Sequence, residues 1–482
     1  MPRHPSVLPA TRLPLLCLLA AACGGEPSTA PGPAAPAALA VATGPGPSAS
    51  GRYIVTFNGR GIPADFADRV AALGGTMAKA YAAIGVAYAD GIGEAGAAKL
   101  SKAWGIRDVI PDPEVALGMP VPPAEAEAAG TGAESILQPA LAFFFPRQWG
   151  LRAIGADVAW AEGRIGSPAV RVGILDTGLD YTHADLVGKV DLVASRSFVP
   201  ADDALVTMFF PGQPNWIDLH LHGTHVGATV SSNALAAAGV TSQVTLVAVK
   251  VLRANGTGQG SSVLDGIMYA ATPLGPDGAG VDVMNLSLGG SFPKNAFPGF
   301  VSIINRALAY AHQQGVVVIA SAGNSASDLD HDGSTYRTYC SAPNVVCVSA
   351  TGPHPIGGVN GPFFAIDDVA AYSSFGRSGV DVAAPGGWGT LTAGTSFVYA
   401  ACSRFSLLIP VCGTGTFVIG VQGTSQAAPH VSGLAALLVE DLGRSPGAIV
   451  NAIQQGADDL GAAGNDPFYG KGRINVPASL GL

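Results

Sequence analysis

Five short apolar runs, at residues 170–175, 244–252, 281–286, 316–320 and 345–348, constrain the fold more than any other feature. Each is strand-length and predominantly apolar, the pattern of a strand buried on both faces. Helical patterns at 262–271, 300–314 and 425–442 are interleaved with them. Buried strands that alternate with helices pair in parallel, because the crossover helices cover both faces of the sheet. From residue 148 onward the expected fold class is therefore α/β, a mostly parallel sheet with helices on both faces. Such sheets present their chemistry at the C-terminal ends of the strands.

Three motifs stand where that rule looks for them. The first run closes in Ile174-Leu175-Asp176-Thr177-Gly178. His222-Gly223-Thr224-His225-Val226 opens a predicted helix, and Gly423-Thr424-Ser425-Gln426-Ala427-Ala428-Pro429 opens the longest amphipathic one. A buried carboxylate accepts from a histidine ring nitrogen and stabilises the imidazolium formed later. A histidine titrating near working pH serves as base and then acid. A serine at a helix start lies beside N–H groups that favour a developing oxyanion. Singly, each motif has a plainer reading: Asp-Thr-Gly is a turn, and Gly-Thr-Ser is a helix N-cap. Together, in the order Asp, His, Ser, they resemble the subtilisin-like serine proteases, or subtilases, from about residue 148 to the C-terminus.

The resemblance implies a relay of Asp176, His222 and Ser425. It also implies that Asn324, in Ala320-Ser321-Ala322-Gly323-Asn324, is a second oxyanion donor beside the Ser425 N–H. Gly256-Thr257-Gly258 and Ser287-Leu288-Gly289 resemble the edges that pair with an extended peptide substrate. Gln426 stands where the family commonly has Met, and Val226-Gly227-Ala228 replaces its Val-Ala-Gly; neither change removes a group the mechanism requires. His225 is expected to pack, whereas His220 either lies at the surface or perturbs His222. The implied activity is serine endopeptidase hydrolysis through an acyl-enzyme, with no cofactor for catalysis. The alternative is a catalytically silent subtilase scaffold acting as an envelope binding protein, against which all four chemical groups count.

Upstream, residues 1–22 read as a signal peptide. Arg3 and Arg12 accompany an apolar run at 13–22 that is too short to span a bilayer as a mature helix. The run ends in Leu19-Ala20-Ala21-Ala22-Cys23-Gly24-Gly25, which resembles a bacterial lipobox with Cys23 as the lipidated residue, although Leu stands one place further back than usual. Residues 23–50, rich in Pro, Ala, Gly and Ser, are expected to form a flexible tether. Residues 51–117 alternate strands at 52–57, 84–89 and 109–117 with helices at 64–73 and 94–103. This resembles the small α+β, ferredoxin-like propeptide of subtilases, which assists folding and inhibits the enzyme. Residues 118–147 read as an exposed linker holding the maturation site, and 148–482 as the peptidase domain.

Cys340, Cys347, Cys402 and Cys412 form two close pairs, expected as two local disulfides in an oxidising compartment. Asp328, Asp330 and Asp332, followed by Gly333, have the spacing of the first half of a calcium loop, without its twelfth-position Glu. Asp185 matches a calcium-ligating aspartate of the family, but the rest of that site is not recognisable at 231–244. Residues 388–421 exceed the family's usual length and read as a disulfide-closed hairpin, either a surface stabiliser or a rim that restricts substrate or docks a partner. The net charge of −9, without a basic run, excludes nucleic acid as a partner. Expected partners are polypeptide substrates, the chain's own propeptide and a lipid anchor, in a monomer located outside the cytoplasm, either anchored to the bacterial envelope or secreted.

Overall fold

The computed structural model describes residues 51–59, 61–119, 123–130, 136–289, 291–293, 297–331, 333–337, 339–354, 357–358, 360–389 and 396–482. The expected signal peptide, tether and Cys23 lie outside these residues, as do Asp332 and part of the 388–421 insertion.

The described chain begins with β1 (Arg52–Phe57), α1 (Phe66–Ala71), β2 (Thr76–Tyr81), β3 (Val86–Asp90), α2 (Gly93–Leu100) and β4 (Ile106–Pro111). The four strands form an antiparallel sheet in the order β2-β3-β1-β4. Alternation along β1 gives the sheet two apolar faces. Tyr53, Val55 and Phe57 pack on Phe66, Val70 and Leu100 of α1 and α2. Ile54, with Tyr88 and Ile110, joins a core shared with the large domain. Sequence reading missed β2, whose residues are largely exposed and carry no apolar alternation.

The single closing strand expected at 109–117 is two strands. β4 stops at Pro111, and β5 (Glu114–Ala116) leaves the small sheet altogether. Pro113 lacks an N–H and biases Asp112 away from helix, so the ladder breaks there. The Asp112 carboxylate instead accepts from Ser261 N at 2.8 Å and Ser261 Oγ at 2.6 Å, and so caps a helix of the large domain. The linker is also less exposed than expected. β6 (Glu127–Ala128) pairs with a later strand, and Phe144 is buried against Tyr399 with ring centroids 6.4 Å apart.

The large domain continues with β7 (Arg171–Asp176), β8 (Arg196–Ser197), α3 (His222–Val230), β9 (Thr245–Lys250), β10 (Thr257–Gln259) and α4 (Gly260–Ala271). β11 (Val283–Leu286), α5 (Pro298–Gln313), β12 (Val317–Ser321), β13 (Val345–Thr351) and β14 (Val382–Pro385) follow. β15 (Val398–Ala401), β16 (Phe417–Val421) and α6 (Thr424–Leu442) complete the elements that shape the site. Seven strands form one sheet in the order β14-β13-β12-β11-β7-β9-β8, with every pair parallel. In β9, Leu246 and Ala248 enter the core that holds Val226 of α3 and Leu434 of α6. Val247 and Val249 point the other way, to Leu264 of α4 and Ile304 of α5. Burial on both faces is why these strands read as mostly apolar runs.

Cys340–Cys347 and Cys402–Cys412 are both paired, the second closing the hairpin of β15 and β16. No described helix is long and apolar enough to cross a membrane.

Candidate active site

Asp176 is the last residue of β7, fully buried at the C-terminal end of a central strand. Its carboxylate accepts from Thr177 N at 2.7 Å and faces His222 Nδ1 at 2.8 and 3.0 Å. That bond places the ring proton on Nδ1 and leaves Nε2 free to accept. Burial by itself would lower the His222 pKa. The charge and hydrogen bond of Asp176, helped by Asp218, outweigh it and hold the imidazole above its ordinary value.

Glycines let the two motifs touch. A Cβ on Gly223 would sit 2.1 Å from the Gly178 carbonyl oxygen, so only glycine brings the start of α3 against the Asp-Thr-Gly turn. Thr177 Oγ1 closes this contact by accepting from Gly223 N at 2.9 Å and donating to Asp218 Oδ1 at 2.8 Å.

Asp218 went unnoticed in the sequence because it belongs to no motif. Buried, it also accepts from the N–H groups of His220 and Leu221, and from Thr224 N and Oγ1 at 2.9 and 2.7 Å. It thus caps α3 in place of Leu221, whose side chain offers no acceptor and whose φ of 155° lies in a rarely populated region. A buried ion pair of Lys250 with Asp202, 2.9 Å long, supports the same loop, since Lys250 Nζ donates to Thr177 O and Ile217 O at 2.8 and 3.2 Å.

Ser425 is the second residue of α6, which packs against α3, and is 7% exposed. No hydrogen bond joins Ser425 Oγ to His222 among the described residues. Asn324 follows β12 through Gly323, whose φ is +100°. Asn324 Oδ1 accepts from Thr424 N at 2.9 Å and Thr424 Oγ1 at 2.8 Å. These bonds turn Nδ2 the other way, where it donates to the carbonyl of Gly118.

Gly118 belongs to the chain's own upstream segment. β5 runs antiparallel to β10, pairing Ala116 with Thr257, Val115 with Gly258 and Glu114 with Gln259. Leu117 N donates to Gly256 O at 2.9 Å, and Ala116 bridges Gly289 on the opposite side. Residues 114–118 therefore lie extended between the two edges singled out in the sequence. Within the second edge, Gly289 faces the segment, whereas Ser287 is buried and donates from Oγ to Ser425 O at 2.7 Å. Ser287 thus supports the helix that carries Ser425, and Leu288 is buried in the core.

The other histidines divide as their surroundings dictate. Burial pushes His225 down to about 3, and its Nε2 lies 3.0 Å from Val398 O, a packing role. His220 is buried rather than at the surface; its ring centroid is 6.4 Å from that of His222, and burial lowers its pKa. It lies on the Gly256 side of the site.

The two described aspartates of the calcium-like spacing each meet a protein partner. Asp328 Oδ2 is 2.7 Å from His331 Nδ1, and Asp330 Oδ1 accepts from Ser378 Oγ at 2.9 Å. Among the described residues no cluster of three or more His, Cys, Asp or Glu side chains is placed to hold a metal. Asp185, at the position of the family's calcium ligand, accepts from the N–H groups of Leu235, Ala236 and Ala237 at 2.9, 2.9 and 3.0 Å.

Residues 167–472 match the model of the subtilase family, and the chain belongs to that family. It is a serine endopeptidase of the subtilisin type. Thermitase from Thermoactinomyces vulgaris is 33% identical over 339 residues, covering 69% of this chain and 96% of the relative. Subtilisin DY from Bacillus licheniformis is 31% identical over 334 residues, covering 69% and 97%. Among solved structures, fervidolysin from Fervidobacterium pennivorans superposes with a TM-score of 0.65 at 23% identity, over 92% of this chain and 63% of that one, a likeness of fold.

Proposed function

We propose that the chain is an exported, self-processing endopeptidase whose relay is Asp176, His222 and Ser425, and that residues 51–118 are its propeptide. One observation carries this reading: the Gly118 carbonyl accepts from Asn324 Nδ2 while residues 114–117 are paired along the edges of the site. The upstream segment is seated as a substrate would be, which presents the Gly118–Met119 bond to Ser425.

The chemistry follows from the geometry. Ser425 Oγ attacks the Gly118 carbonyl carbon and gives its proton to His222 Nε2. The oxyanion is held by Asn324 Nδ2 and the Ser425 N–H. Collapse expels the Met119 amine, which takes the proton from His222 and leaves Gly118 as an ester on Ser425. Water then attacks, gives a proton to His222 and releases the Gly118 carboxylate, and Ser425 recovers its proton.

Mass spectrometry of the N-terminus of wild type and Ser425→Ala, both expressed from the tether onward, tests the reading. The expected result is a wild-type chain that begins at Met119 beside an uncut mutant. Two uncut chains would favour the silent scaffold.

Export rests on the signal-like segment at 1–22, and anchoring on Cys23, which radiolabelled fatty acid would detect. Sedimentation tests the monomeric state. Calcium at Asp328, Asp330 and Asp332 rests on spacing alone and enters no step. A rise in Tm on adding millimolar calcium to chelated protein would support a loop completed by Asp332; an unchanged Tm would remove it.

A further inference from the structure

We infer that the insertion hairpin is the leaving-group half of the substrate cleft. Its disulfide face pockets the residue that follows the scissile bond, and the outer edge of β16 pairs with the extended chain beyond. The inference rests on the reading of Gly118–Met119 as the bond cut.

The first observation is Met119. One residue past the carbonyl held by Asn324, it packs against the cluster formed by Leu221, the Cys402–Cys412 disulfide, Ile419 and Val421. One wall of this pocket is thus the residue before His222, and the others come from the insertion. The cluster that Met119 meets is apolar, so it accepts Met, Leu or a similar residue and penalises a carboxylate that would lose its water.

The second observation is the strand beyond. β15 occupies one edge of β16. On the other edge Ala124 N donates to Gly420 O at 2.8 Å and Ala129 N to Thr416 O at 2.9 Å, with Val418 opposite Glu127 and Phe417 opposite Ala128. Main-chain pairing of this kind binds extended polypeptide with little demand on sequence. Gly420 itself has no room for a side chain, since a Cβ there would lie 2.8 Å from that of Phe397 and 3.2 Å from that of Ala124.

The third observation is how firmly the hairpin is tied to the catalytic loop. Ser403 Oγ donates to Asp218 O at 2.6 Å, Ser406 Oγ donates to His220 O, and Arg404 N donates to Asp180 Oδ2 at 2.7 Å. His183 accepts from Asp185 N through Nδ1, so its Nε2 carries the proton donated to Phe417 O at 3.0 Å. The hairpin and His222 are positioned by the same loop, as a binding edge beside the reacting bond requires. The occupant is the C-terminal side of a polypeptide substrate, with an apolar residue directly after the bond and an extended stretch further on. The chain's own Met119 and residues 123–129 are the first such occupant.

Mature wild-type enzyme is assayed on three peptides and one chromogenic substrate. Val-Ala-Leu-Gly p-nitroanilide has no leaving-group peptide and reads Ser425 chemistry alone. The long peptide copies residues 115–129, a short one stops after the third residue beyond the bond, and a third replaces Met by Asp. The expected result is at least a tenfold higher kcat/KM for the long peptide than for either other. Equal values with active p-nitroanilide hydrolysis overturn the inference and leave the catalytic reading standing. No hydrolysis of the anilide overturns both. In the uncut chain, Met119→Asp should slow self-cleavage at least tenfold and Met119→Leu should restore it; equal rates for Asp and Leu also overturn it.

Discussion

The side-chain amide of Asn324 bridges two segments about three hundred residues apart in sequence: it donates to the Gly118 carbonyl and accepts from Thr424. One residue thereby aligns the Gly118 carbonyl with the helix start that carries Ser425. Asn324→Ala should lower kcat by about 10²–10³-fold, a scale for one oxyanion donor that itself comes from a subtilisin, with little change in KM. A loss confined to KM would mean that Asn324 binds substrate without stabilising the transition state.

Asp176 and His222 set the pH profile. His222 must be neutral to act as base, and its pKa lies above the ordinary value of about 6.5. The acid limb of kcat/KM should therefore fall above that pH. In Asp176→Asn the charge is gone and burial remains, so the limb should move to lower pH while the rate drops by about 10⁴. Profiles on a peptide substrate check this, and an unmoved limb would refute the role given to Asp176.

Gly223 offers a structural test. With a Cβ 2.1 Å from the Gly178 carbonyl, Gly223→Ala must push α3 away from β7. The expected cost is about 3 kcal/mol or more, with loss of activity, by analogy with overpacked cores. Thermal unfolding in a Ser425→Ala background, where self-digestion is absent, measures it; an unchanged Tm would contradict the close approach.

Two buried histidines predict acid lability. Burial pushes His225 down to about 3 and His430 down to about 4, whereas both titrate near about 6.5 in the unfolded chain. Between those values the unfolded chain binds more protons. Their contribution to stability is complete above about pH 6.5 and is lost as pH falls toward 4 and 3. His222 has the opposite sign, its contribution being present below about 6.5 and lost as pH rises through its raised pKa. Because the His222 contribution is already complete below about 6.5, it does not offset this loss. Tm of Ser425→Ala should fall steadily from pH 6.5 to 4, and His430→Gln should flatten that slope. A flat wild-type profile would count against buried neutral rings.

The sequence by itself determined the parallel sheet, because burial on both faces leaves mostly apolar runs such as that of β9. It also marked Asp176, His222, Asn324 and Ser425, because strand ends and helix starts require a recognisable mixture of small and polar residues. Tertiary structure alone decided what surrounds them. Asp218 and Lys250 support the site through contacts that follow no local period, and Ser287 faces inward to Ser425 where Gly289 faces the bound segment. Nothing local in Glu114-Val115-Ala116-Leu117-Gly118 distinguishes a strand of the small sheet from a segment lying in the active site. The break at Asp112-Pro113 releases it, and pairing with Gly256–Gln259 across a long sequence separation captures it. Such pairing depends on which edge is free in the folded molecule, a property of the assembled sheet.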